Sequence, residues 1–81
     1  MAVMETIHAD QEVDARGLNC PLPILRAKKA LSTLTSGQVL KVVATDPGSQ
    51  RDFTAFAKQT GNELLRTDAD AKQWTFYLKR R

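Results

Sequence analysis

The chain has one cysteine, Cys20, and one histidine, His8. A single cysteine excludes an internal disulfide, a Cys-x-x-Cys redox pair and a thiolate-rich zinc site within one chain. His8 stands near the N-terminus, so a Cys-His catalytic dyad has no support, and neither a metal site nor a cofactor is expected. Aromatic residues make up only 6% of the chain. No apolar run exceeds a few residues, which excludes a membrane-spanning helix. The opening MAVMETIHADQ lacks the basic start and apolar stretch of a secretory signal, so a cytoplasmic location without membrane association is expected.

What is present is an ordinary globular balance, with 42% hydrophobic and 26% charged residues in 81. That length holds one domain, expected over residues 11–81 behind a flexible leader of residues 1–10. The net charge is +3, and its excess falls in the second half. Residues 1–37 carry four basic and four acidic side chains, residues 38–81 eight and five. The chain ends in Lys79-Arg80-Arg81, a tail that could steer acidic partners, although short basic tails are usually just solvated.

The hydropathy pattern predicts six elements. Gln11 to Ala15 form a short strand, followed by a turn from Arg16 to Asn19. Ile24, Ala27, Leu31 and Leu34 recur at helical spacing and predict a helix over residues 21–35, stopped by Ser36-Gly37. The β-branched run Val39 to Ala44 predicts a central strand. A second helix follows Asp46-Pro47-Gly48, with Ser49 as its cap, Phe53, Phe56, Ala57 and Thr60 as its buried stripe, and Gly61 as its end. Glu63 to Thr67 predict a third strand and residues 68–71 a turn. In the last strand, Gln73 to Lys79, Trp74, Phe76 and Leu78 alternate toward the core. The order β-α-β-α-β-β predicts an α/β fold, a two-layer sandwich of a four-stranded mixed sheet with two helices on one face.

The stretch Gly17-Leu18-Asn19-Cys20-Pro21-Leu22-Pro23 places the lone thiol between a turn and a helix start. Proline suits the first helical turn, because its φ is already set and those amides lack intrahelical acceptors. Pro21 and Pro23 thus fix the helix start and stiffen the backbone beside the sulfur. A free Leu22 N–H and the positive end of the helix would favour an anion at Cys20, with Arg16 and Arg26 as nearby cations. A thiol so placed has a lowered pKa and acts as the thiolate. Without a histidine base it is poorly equipped for acyl chemistry, but suited to taking up a sulfur as a persulfide and passing it on. Asp14 orders the turn before the cysteine rather than serving as a base. Arg51 and Asp52 form a charge arrangement at the second helix start.

These residues resemble the TusA family of small sulfur-carrier proteins. Asp14, Gly17, Leu18, Cys20, Pro21 and Pro23 match its Asp-x-x-Gly-Leu-x-Cys-Pro-x-Pro signature, and Asp46, Pro47, Arg51 and Asp52 match a second block. The resemblance covers residues 11–80. It implies a two-layer sandwich of the same order and a catalytic Cys20 persulfide. It makes Asp14, Gly17, Pro21 and Pro23 site-shaping, with Arg16, Arg26, Arg51 and Asp52 as candidate partner contacts. It implies a cysteine desulfurase or rhodanese-type protein as sulfur donor and a DsrE/TusD-like protein as acceptor, feeding tRNA 2-thiouridine synthesis or dissimilatory sulfur oxidation. Some members carry a second cysteine where Ala57 stands here, so a mechanism with two thiols in one chain is excluded. A monomer suits a mobile carrier. The competing reading is a small basic RNA-binding or regulatory module, with Trp74, Phe76 and Tyr77 as its only stacking surfaces.

Overall fold

The computed structural model describes residues 8–19 and 21–81, so Cys20 and residues 1–7 lie outside the described residues. The elements run β1 (Gln11–Ala15), α1 (Leu22–Ser32), β2 (Val39–Ala44), α2 (Ser49–Thr60), β3 (Glu63–Asp70) and β4 (Gln73–Lys79). The expected element order is therefore found.

Strands pair in the order β1-β2-β4-β3, with β1 parallel to β2 and β4 antiparallel to both of its neighbours. Leu40 lies opposite Leu78, and Val42 opposite Phe76, so these side chains share one face of the sheet. Both pairs join a single core with Ala27 and Leu31 of α1 and Phe53 and Phe56 of α2. Both helices therefore cover the same face. Phe53 is fully buried, stacks on Phe76 at 4.5 Å between ring centroids and meets Phe56 edge-on at 6.3 Å. Trp74 is partly buried at the margin of this core.

Element boundaries differ from the expected ones in three places. Helix α1 starts at Leu22, because Pro21 (φ −96°, ψ 14°) is not helical. It ends at Ser32 rather than at residue 35, since the amides of Thr33 and Leu34 reach back only three residues, to Ala30 and Leu31. Strand β3 extends to Asp70, because pairing with β4 continues as far as Asp70 opposite Gln73. The polar Asp68-Ala69-Asp70 segment suggested a turn, but cross-strand pairing outweighs that local preference. The turn shrinks to Ala71-Lys72, with Ala71 in the left-handed region (φ 52°). Third, Ser49 is not the cap of α2. Gly48 precedes the helix, and the Ser49 hydroxyl is buried with no hydrogen-bond partner among the described residues.

The segments just before β1 and just after β4 are tied to the sheet. Asp10 donates its N–H to the Val39 carbonyl at 2.8 Å, and its carboxylate accepts the Val39 N–H at 2.8 Å. The basic tail is not merely solvated. The Arg80 amide donates to the Gln38 carbonyl, and its guanidinium donates to the Leu34 carbonyl at 2.8 Å. Arg81 donates its N–H to the Asn62 side chain. A guanidinium on the Leu34 carbonyl just past α1 complements the negative end of that helix.

Candidate functional site

The parallel pairing of β1 with β2 decides where the site lies. Both strands point the same way, so the β1–α1 turn and the β2–α2 loop emerge at the same end of the sheet. The N–H of Gly17, in the first turn, donates to the Thr45 hydroxyl in the second at 2.9 Å.

Residues 14–19 form an ordered approach to Cys20. The Asp14 carboxylate accepts from the Arg16 amide at 3.1 Å, its Nε at 2.9 Å and its Nη2 at 2.8 Å. These bonds from Arg16 hold the Asp14 carboxyl down, from 3.8 to about 2. Asp14 is thus a fixed anion that organises the turn, in keeping with a structural role rather than that of a base. Arg16 is correspondingly engaged, its guanidinium committed to Asp14. Gly17 takes φ +79°, and a Cβ there would meet nothing within 4 Å. Its requirement is conformational, not one of space. The Leu18 amide donates to the Ala15 carbonyl at 3.2 Å, and the Leu18 side chain packs against the core.

Beyond the cysteine, the Leu22 N–H donates to the Asn19 carbonyl at 2.8 Å. The expectation that this amide is free to meet an anion at Cys20 is therefore corrected: the turn itself uses it. Pro21 precedes the helix, and its carbonyl accepts the Leu25 N–H at 3.1 Å. Pro23 occupies the second helical position and is fully buried, where it seats the helix start on the core. Leu22 and Leu25 are instead 46% and 54% exposed, large apolar groups in solvent beside the cysteine-bearing turn.

The candidate charged residues divide. Asp46 and Asp52 gather at the start of α2, where a Cβ on Gly48 would lie 3.5 Å and 3.8 Å from their carboxylate oxygens. Carboxylates there complement the positive helix end. Arg51 lines a groove on the outer side of α2 with Pro47, Thr54 and Lys58. Arg26 lines a different groove, beside β1, with Val13 and Lys29. The structure therefore brings Asp14, Arg16 and Gly17 together, but spreads Arg26 and Arg51 to separate surfaces. Sequence reasoning missed Thr45 and the exposed pair Leu22 and Leu25. The β-α-β order, which makes β1 and β2 parallel, could have placed the Thr45 loop beside this turn, though not the hydrogen bond itself.

The uncovered face of the sheet includes the cross-strand rows Val39-Lys79-Glu63, Glu12-Lys41-Tyr77-Arg66 and Asp14-Val43-Thr75-Asp68. Of its cations, Lys41 pairs with Glu12 at 4.0 Å, Arg66 with Asp68 at 2.8 Å and Arg16 with Asp14 at 2.8 Å, while Lys79 lies opposite Glu63 and so also neighbours an acid. Such a charge-balanced face offers no basic track for a phosphate backbone. This weighs against the RNA-binding alternative. Among the described residues, no helix is long and apolar enough to cross a membrane.

Comparison with known proteins agrees with this reading. The model of the sulfurtransferase TusA family matches residues 11–80. The sulfur carrier protein TusA of Allochromatium vinosum is 63% identical over 71 residues, which cover 88% of this chain and 93% of that protein. A putative sulfur carrier protein of Neisseria meningitidis serogroup A is 53% identical over 84% of this chain and 89% of its own length. The crystal structure of a SirA-like protein from Desulfitobacterium hafniense superposes with a TM-score of 0.76 at 28% identity, covering 85% of this chain and 95% of that one. The matched span takes in the Asp14 clasp, the cysteine-proline stretch and the Asp46–Asp52 block together, and the chain belongs to the TusA family of sulfur-carrier proteins.

Proposed function

We propose that Cys20 is the sulfur-bearing residue and that the protein relays sulfur as a Cys20 persulfide. The observation that carries this is the ordered turn on both sides of the cysteine: the Asp14–Arg16 clasp and the Gly17–Thr45 bond before it, the Asn19–Leu22 bond and buried Pro23 after it. These contacts hold one end of the molecule in a defined shape around a sole thiol. His8, 87% exposed and paired with Asp10 before β1, supports no role as a base for that thiol.

The step balances without a redox partner. The Cys20 thiolate attacks the outer sulfur of a donor persulfide. A new S–S bond forms on Cys20, the donor's S–S bond breaks, and its electron pair leaves on the donor thiolate. Delivery is the same exchange run against an acceptor thiolate. Such a cycle needs a thiol with a substantial thiolate fraction, and the adjoining α1 N-terminus would favour the anion.

In this reading the donor is a cysteine desulfurase or a rhodanese-type protein, and the acceptor a DsrE/TusD-like carrier. The end use is tRNA 2-thiouridine synthesis or dissimilatory sulfur oxidation. The protein works in the cytoplasm as a monomer. Incubation with each donor class, followed by mass measurement without reductant, tests the assignment. One added sulfur on the wild type and none on Cys20→Ser supports it, and sulfur taken up equally by both sinks it.

A further inference from the structure

The two edges of the sheet are protected differently. Strand β3 carries a bulge between Leu64 and Arg66 and an outer Arg66–Asp68 ion pair, features that discourage further strand pairing. Strand β1, at the other edge, pairs with β2 without any register shift and contains no proline or bulge. Along its outer side runs one stripe of α1, Leu22, Arg26 and Lys29, continued by the C-cap Thr33, whose spacings of four, three and four keep them on one helical face. Arg26, Lys29, Ala30 and Thr33 line a groove of about 240 Å³ with Gln11 and Val13 of β1. Arg26 and Lys29 are exposed, and among the described residues neither pairs with a carboxylate. On the uncovered sheet face, by contrast, Arg16, Lys41 and Arg66 are each paired with a carboxylate.

We propose that the free edge of β1 and the adjoining face of α1 form a docking groove for an extended acidic segment of a partner protein, which joins the sheet as a fifth strand. A strand added here would satisfy the open backbone edge of β1. Its alternate side chains would point toward the helix layer, where carboxylates meet Arg26 and Lys29, and toward the uncovered face, where neutral residues suit the neighbouring Glu12 and Asp14. A second copy of this chain fits poorly. Antiparallel β1–β1 pairing about Val13 sets Glu12 opposite Asp14 and brings two Arg26–Lys29 rims together. The groove begins one helical turn past Leu22, so a segment held in it anchors a partner beside the cysteine-bearing turn. In that respect the inference rests on the relay reading, whose partners are proteins.

The test is an NMR titration of the full-length, reduced protein with a short peptide alternating threonine and glutamate. Amide shifts at residues 11–15 and along Arg26 to Thr33 are expected, weakening as salt is added. A peptide with lysine in place of glutamate should not bind. Arg26→Glu with Lys29→Glu should weaken binding by roughly tenfold or more, whereas Lys28→Glu, on another groove, should not. No shift at millimolar peptide, or equal binding by the double variant, overturns the proposal. So does tighter binding of a single-stranded oligonucleotide on the same stripe. Sulfur uptake measured on the same samples separates the two claims. Uptake with no peptide binding removes only the groove, and peptide binding with no uptake removes only the relay.

Discussion

The Gly17 amide and the Thr45 hydroxyl, 28 residues apart in sequence, are joined by a hydrogen bond of 2.9 Å. This bond ties the turn before Cys20 to the loop that starts α2. Removing the acceptor with Thr45→Val should cost about 0.5–1.5 kcal/mol, the usual net worth of such a bond, while Thr45→Ser restores it. Urea unfolding of the three proteins checks the order, and a valine variant as stable as the wild type contradicts it.

The Asp14–Arg16 clasp has a pH signature. The folded-state value for Asp14 is depressed, from 3.8 to about 2. Its contribution is therefore present in full above the unfolded value and is lost as pH falls through the folded one. Asp14→Asn should lower the urea midpoint at neutral pH. The gap to the wild type should close between about pH 4 and pH 2. A gap that persists unchanged at pH 2 argues against the clasp.

Ser49 carries the opposite expectation. Its hydroxyl is buried with no partner among the described residues, 1% of the residue being exposed, and it sits in the first turn of α2. An unsatisfied buried polar group costs about 1–3 kcal/mol. Ser49→Ala should therefore leave stability unchanged or raise it by up to about 1 kcal/mol, helped by the higher helix propensity of alanine. A clear loss in thermal unfolding would show that the hydroxyl has a partner after all.

Phe53 holds the layers together through its ring contacts with Phe56 and Phe76. Phe53→Ala should cost about 3–5 kcal/mol. That is a large share of the roughly 5–15 kcal/mol available to a small domain. Circular dichroism should show a strongly lowered melting temperature, and a shift of only a degree or two would place the core elsewhere.

The sequence made the layers legible because each element buries one face. The alternation of Phe76 and Leu78 and the stripe of Phe53, Phe56 and Ala57 carried the strand and helix assignments, and both sets are buried. Boundaries were less legible, because they depend on partners distant in sequence. Strand β3 reaches Asp70 only because β4 continues to pair with it, and α1 stops at Ser32 where its last amides shorten their reach. At the site, the contact of Asp14 with Arg16 spans two residues and lies within the local turn that the residue pattern marks. The use of the Leu22 amide by Asn19 and the Thr45 link depend on loop geometry that the residue pattern does not encode. The exposure of Leu22 and Leu25 ran against composition alone, since leucine is usually interior.

The central claim is that Cys20 carries sulfur. The most direct measurement is the intact mass of the full-length protein, unreduced, after incubation with a cysteine desulfurase, pyridoxal phosphate and cysteine. A gain of about 32 Da, one sulfur atom held as a persulfide, is predicted on the wild type and reversed by dithiothreitol, with no gain on Cys20→Ser. An unchanged wild-type mass with both desulfurase and rhodanese-type donors, or an equal gain on Cys20→Ser, would contradict the account.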